Sequence, residues 1–246
     1  MKKKWDKRTN FTNPNWDTPS KMEARSCSVI EPYRLLTGNR CLPADTQYWT
    51  MGGAHFKGEG ENVEAIPGEL GQVTSGGLID VSQWRGVDRD AVTTERNQKF
   101  YPEAWWAEGD FYETMQTACA RGEFNPGLVN YDGVMGPKYG IPYLVDILWL
   151  IDYNVRGPMV LVANFVLKNP YRANLTCDPK TVLPVLLKEE YTVPDHWSIV
   201  PMLWNYHGGA SVHSSARMGT FVFVKSVHNG KPCYTRGRNI LLEMPA

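Results

Sequence analysis

Apolar positions along this chain come in two alternating rhythms between residues 46 and 227. Short, nearly continuous apolar blocks at 46–51, 85–87, 104–108, 127–131 and 158–166 have the length and β-branched or aromatic bias of buried strands. Between them lie segments with apolar residues every three or four positions, at 111–120 and, more strongly, at 143–153, which predict helices. A further helix follows Asp88 and contains Glu95 and Arg96, and a poorer one follows Pro67 through Glu69, Leu70 and Val73, weakened by Gly71, Gly76 and Gly77. A short helix at 29–36, stopped by Gly38, precedes the first strand.

Strands and helices that alternate four times over predict a parallel sheet with helices on both faces. The tail changes rhythm. After a helix at 182–190, the blocks 198–206 and 219–227 read as two strands with His207-Gly208-Gly209 opening their connection, so an antiparallel hairpin is expected to close the sheet. Residues 1–25 show no periodicity and are rich in Asn, Thr and Pro, which predicts an irregular arm ahead of a single α/β domain at 26–246. The Gly- and Glu-rich stretch 54–66 reads as a loop inserted after the first strand.

Three of the predicted strands end in an acid. The stretch 84–97 reads as a strand ending in Asp88 and opening a helix; in open α/β sheets ligands sit at the carboxyl ends of the strands, where an acid can accept both hydroxyls of a ribose. Asp110 and Asp132 follow later strands in the same way. Each also has a plain structural reading. Asp88 and Asp110 are preferred helix N-caps, and Asp132-Gly133 is a common turn pair.

Charge and cysteine content narrow the function classes. Lys plus Arg number 26 and Asp plus Glu 26, so no global charge recruits a polyanion. The local exception is the arm, where Lys2, Lys3, Lys4, Lys7 and Arg8 are interleaved with Trp5, Phe11 and Trp16, a composition that can track a phosphate backbone and stack on bases, although such arms are commonly just solvated termini. The five cysteines are scattered and form no CxxC pair, which argues against a disulfide scaffold or zinc knuckle and for a reducing, cytoplasmic setting. No apolar run approaches the length of a membrane span. The sequons at Asn10 and Asn174 are then chance matches.

Alternating β/α units, acids at consecutive strand ends and a closing antiparallel hairpin together resemble the class I S-adenosylmethionine-dependent methyltransferases over about residues 46–227. The resemblance implies a Rossmann-like methyltransferase fold: a mostly parallel central sheet, helices on both faces and a C-terminal antiparallel hairpin. It also implies S-adenosylmethionine as cofactor. Gly52 and Gly53, with Gly58 and Gly60, would form the glycine turn beside the methionine part; Asp88 would bind the ribose; Asp110 would lie near the adenine amino group, with Phe111 stacking on the ring; Asn130 and Asp132 would face the substrate. The chain departs from the family in two motifs. Its first strand ends in Met51-Gly52-Gly53 without the usual acid, for which Glu69 in the following helix is the candidate replacement. Its fourth motif, Asn130-Tyr131-Asp132-Gly133, is not the Pro-Pro-aromatic signature of amino-methylating enzymes. The chain therefore resembles a divergent member, of the kind carried by phages and other mobile elements.

Asp132 is the candidate base or hydrogen-bond partner near the methyl acceptor, and His207 a second candidate base. His55, Lys138 and Tyr139 are weaker candidates beside them, and Trp105, Trp106 and Trp204 are either core residues or stacking platforms. The acceptor is not legible, with nucleic acid slightly favoured by the basic arm. A catalytically inactive, methyltransferase-like binding module acting on a host protein or nucleic acid is the alternative. A nicotinamide-dependent oxidoreductase is disfavoured, because no tight GxGxxG joins the first strand to its helix.

Overall fold

A computed structural model of the protein describes residues 25–38, 41–51, 55–57, 64–66, 68–132, 137–168, 197–207, 215–225, 227–228, 231–232 and 242–243. The elements that build the domain are α1 (Glu31–Thr37), β1 (Gln47–Thr50), β2 (His55–Lys57), β3 (Glu64–Ile66), α2 (Glu69–Ser75), β4 (Trp84–Asp88), α3 (Ala91–Phe100), β5 (Trp105–Glu108), α4 (Phe111–Ala120), β6 (Pro126–Asp132), α5 (Pro137–Asn154), β7 (Met159–Lys168), β8 (Trp197–His207) and β9 (Ser215–Lys225). Three short strands follow, β10 (Val227–His228), β11 (Lys231–Pro232) and β12 (Leu242–Glu243).

One eight-stranded sheet organises the chain, in the order β12-β8-β9-β7-β6-β1-β4-β5. Strands β5, β4, β1, β6 and β7 are mutually parallel, and β9 runs antiparallel to both β7 and β8. The chain winds outward from β1 through β4 to β5, then returns to the other side of β1 for β6 and β7. This order, closed by a reversed strand set between its two neighbours, is the Rossmann-like methyltransferase fold expected from the sequence. The reversal of winding between β1 and β6 leaves a crevice at their carboxyl ends, the usual ligand position in open α/β sheets.

Strands buried on both sides read as continuous apolar runs, because each successive residue enters a different core. On one face Trp49, Val129, Tyr131, Leu161 and Phe165 pack under α4 and α5. On the other, Tyr48, Trp84, Leu128, Val160 and Val162 pack against Leu70 and Val73 of α2, with Val29, Ile30 and Tyr33 from the first helical segment. Gly86 is required where two indoles close over β4: a Cβ there would lie 2.3 Å from Trp106 and 2.6 Å from Trp84. At the far end of α5, the buried Lys225 ammonium donates to Asp152 Oδ1 at 2.8 Å and to the Val155 carbonyl at 2.8 Å, placing a cation on the helix's carboxyl terminus and tying it to β9.

Several boundaries differ from expectation. The helix α5 starts six residues earlier than its apolar period suggests and carries Pro142 inside it. Gly140 in the added turn is buried, and a Cβ there would lie 2.5 Å from the Phe165 ring, so this turn is held by close packing rather than by propensity. The inserted stretch contains a small antiparallel ribbon, β2 with β3, where the sequence reads as loop. Arg25, assigned above to the irregular arm, is already helical. The rest of that arm, Pro67 and the predicted helix at 182–190 lie outside the described residues. Among the described residues no helix is long and apolar enough to cross a membrane.

Substituting Gly86→Ala forces the two indoles apart and is expected to cost about 1–3 kcal/mol of stability. Urea denaturation measures this directly, and a loss within error of zero would mean that the indoles shift freely.

Candidate functional site

The amino end of α2 brings Glu69 under the carboxyl ends of β1 and β6. Alternation along the strands puts Tyr48 and Thr50 of β1, Asn130 of β6 and Asn164 of β7 on the α2 face. Their polar groups converge. Glu69 Oε1 accepts hydrogen bonds from Tyr48 Oη, from Thr50 Oγ1 at 3.2 Å and from Asn130 Nδ2 at 2.7 Å, and Asn130 Oδ1 accepts from Asn164 Nδ2 at 3.3 Å. Glu69 is 3% exposed, yet its other oxygen, Oε2, accepts no hydrogen bond from the described residues. Burial, followed by the Glu69 charge, raises the Tyr48 phenol well above its ordinary range and keeps it a neutral donor. An acid from α2 therefore stands at the winding switch, beyond the end of β1.

One strand outward, Asp88 ends β4. Its Oδ1 accepts from the Asp90 amide at 2.9 Å, and no side chain among the described residues donates to it. Burial raises its pKa above the usual carboxylate range. It is not the helix cap: Asp90 caps α3, with its side chain accepting from the Val92 amide at 3.2 Å. The strand-end acid and the capping acid are two different residues, which leaves Asp88 open to a ligand.

Asp110, at the end of β5, is the opposite case. It caps α4, accepting from the Tyr112 amide at 3.0 Å and the Glu113 amide at 3.3 Å on Oδ1, and it also accepts from Tyr143 Oη and from Arg89. Burial alone would push this carboxyl up, but the Tyr143 and Arg89 hydrogen bonds outweigh it and hold its pKa below the ordinary value. Its acceptor capacity is spent on the protein's own donors. Phe111 does not take the ring-stacking place expected of it: it is 2% exposed, lies inside the α4 core and stacks on Tyr131 at 6.4 Å, so it has no free face for a ligand ring. Two tyrosines missed in the sequence belong to this corner. Tyr143 bridges Asp110 and α4, and Tyr131 stacks on Tyr143 at 5.5 Å with its hydroxyl buried and without a hydrogen-bond partner among the described residues. Burial pushes the Tyr131 phenol up to about 12.

The two candidate bases are far apart. Asp132 is exposed at the carboxyl end of β6, level with Asn164, Thr220 and Met202 across the sheet. His207 stands five residues beyond Met202 on β8, so strand spacing and rise place it roughly 14 Å across and ~16 Å along from Asp132. Gly52, Gly53, Gly58 and Gly60 lie outside the described residues. His55 is on the β2 ribbon and Lys138 and Tyr139 are in the first turn of α5. Trp106 is buried in the core, whereas Trp105 is 38% exposed.

Because the Tyr131 hydroxyl makes no hydrogen bond to the described residues, Tyr131→Phe is expected to leave the ligand-free protein as stable as before or to stabilise it by about 1 kcal/mol. A fall in the thermal midpoint would mean that the hydroxyl is paired in solution.

No family model matches the sequence, and no curated protein matches it either. Solved structures do share its outline. The plantazolicin methyltransferase BamL, in complex with a desmethyl-plantazolicin analog and S-adenosylhomocysteine, is 12% identical over 83% of this chain and 87% of that one, with a TM-score of 0.47. An rRNA-methylase-type protein from Clostridium thermocellum is 7% identical over 78% and 95%, with a TM-score of 0.44. A SAM-dependent methyltransferase from Archaeoglobus fulgidus is 10% identical over 83% and 94%, with a TM-score of 0.42. The fold assignment itself rests on the strand order and directions described above.

Proposed function

We propose that the chain binds S-adenosylmethionine across the carboxyl ends of β1, β4 and β5 and acts as a methyltransferase. The observation that carries this reading is Asp88, a half-buried strand-end carboxylate beside the winding switch, approached by no side-chain donor among the described residues. Such a group suits a pair of ribose hydroxyls, which would supply the hydrogen bonds that burial withholds. Glu69 Oε2 is the matching acceptor for the cofactor's amino group, and Gly52 and Gly53 follow β1 where close backbone approach is needed.

When bound, S-adenosylmethionine supplies an electrophilic methyl group, and the demand on the protein is chiefly orientation. Asn130, held by Glu69 and Asn164, gives the carboxyl end of β6 a fixed polar edge. Asp132, two residues on and exposed, is the group proposed to receive the acceptor's proton or hydrogen bond. Asp110 is a positioning residue in this scheme, because its oxygens are already committed to α4, Tyr143 and Arg89. That commitment also favours the second reading, a binding module that has lost turnover. A nucleic-acid acceptor rests on the basic arm alone.

Calorimetric titration with S-adenosylmethionine tests the assignment. Binding is expected in the micromolar range, weakened about tenfold or more in Asp88→Ala, where two charge-assisted hydrogen bonds are lost. Absence of binding in the parent chain, or preference for a nicotinamide dinucleotide, would sink it.

The raised pKa of Asp88 fixes the sign of the pH response. The carboxylate that accepts hydroxyls is present above that pKa, so affinity is expected to fall as pH drops through it, at a higher pH than for an ordinary aspartate. In the ligand-free protein the ionised form is the costly one near neutrality. Asp88→Asn should therefore raise the thermal midpoint while abolishing the pH-dependent part of binding, and a lower midpoint would contradict the burial argument.

A further inference from the structure

The opposite end of the sheet holds a cavity of about 420 Å³, lined by Gln47, Trp49, Arg85, Trp105, Ala118 and Glu123. It lies at the amino ends of β1, β4 and β5, away from the acid-bearing carboxyl ends, and falls within the roughly 300–1,000 Å³ typical of small-molecule sites. Register puts Trp49, Arg85 and Trp105 side by side on three adjacent strands. The two indoles approach each other to 5.4 Å across the strand that carries Arg85.

The walls are held in place by the protein's own bonds. Gln47 accepts from Trp49 Nε1 at 2.8 Å and from the Asn125 amide at 3.1 Å, and it donates to the Glu123 carbonyl at 2.8 Å. The functional groups, by contrast, are left open. Arg85 spends only Nη1, on the Ser82 and Trp84 carbonyls at 2.7 and 2.8 Å, so Nε and Nη2 donate to none of the described residues. Burial lowers the Arg85 pKa, and the nearby Glu123 charge acts in the other direction. The Glu123 side chain is exposed and accepts no hydrogen bond from the described residues.

We propose that this cavity is a second ligand site, for a guanine base. A flat apolar body suits the indole of Trp105, which is 38% exposed and is backed by the buried Trp49 ring. The free Nε–Nη2 edge of a guanidinium is a two-pronged donor that matches the adjacent N7 and O6 acceptors of guanine. The next edge of the same base carries the N1–H and N2–H donors, which suit a neighbouring carboxylate such as Glu123. Adenine sets an amino donor where guanine has O6 and would oppose Arg85. The site is independent of the methyltransferase reading, and it takes the base from a free nucleotide or from an unpaired residue of a single strand.

Calorimetric titration of the whole chain with guanosine monophosphate, and with adenosine monophosphate as control, tests the proposal. Saturable binding of the guanine nucleotide is expected, with the adenine nucleotide weaker by about fivefold or more. Glu123→Gln and Trp105→Leu should each weaken the guanine nucleotide by about fivefold or more without changing the circular-dichroism spectrum. Tyr153→Phe, on the exposed end of α5 and outside both sites, should leave it unchanged. A hexauridylate carrying one guanosine, set against the all-uridine strand, identifies the source: discrimination between them points to RNA, and binding of the mononucleotide alone points to a nucleotide ligand. No saturable heat at about 5 mM nucleotide, equal affinity for the two purines, or insensitivity to both pocket variants would overturn the assignment.

Discussion

A carboxyl group buried at the point where the sheet reverses its winding has to be surrounded by donors, and that requirement organises the functional end of this protein. Glu69 is 3% exposed, and one of its oxygens gathers Tyr48, Thr50 and Asn130 from two strands that are adjacent in space but 80 residues apart along the chain. Leaving such a group unpaired would cost several times what one hydrogen bond contributes. The arrangement therefore locks α2 to β1 and β6 in a single register. Asn130 in turn holds Asn164 of β7, so the polar layer continues across the crevice. The carboxyl ends of three parallel strands are set by one side chain from a helix.

The neighbouring corner solves a different problem with another acid. Asp110 begins α4, and its oxygens satisfy the helix's first amides while also meeting Arg89 and Tyr143. Asp88, only one strand away, has its capping duty taken over by Asp90. The two aspartates look alike as strand-end acids, yet one is consumed by structure and the other is left available. Which is which depends on a second aspartate two residues downstream and on a tyrosine from α5.

At the amino ends of the same strands the chain does the reverse of what it does at Asp110. Gln47 satisfies the framework around Trp49 and Glu123, while Arg85 and the Glu123 carboxylate keep unspent hydrogen-bonding capacity toward a cavity. The sheet thus carries polar chemistry at both ends, separated by strands whose centres are apolar on both faces.

The sequence by itself determined the layers and most of the elements. Runs such as 158–166 and 127–131 can only be buried on both sides, and their alternation with 3.6-period segments dictates a parallel sheet flanked by helices. The closing hairpin and Asp88 at a strand end were legible for the same local reasons. Tertiary structure alone decided what each acid does. Glu69 meets Tyr48, Thr50 and Asn130 only because α2 docks beneath β1 and β6; Phe111 was turned into the core by the packing of α4; Asp132 and His207 were separated by the register of β8. The first turns of α5, with Pro142 and Gly140, form because a glycine lets the Phe165 ring approach, a contact between residues 25 apart that no local pattern encodes. Hydrophobic period is a property of neighbours along the chain, whereas the satisfaction of a buried polar group depends on partners the fold brings from elsewhere.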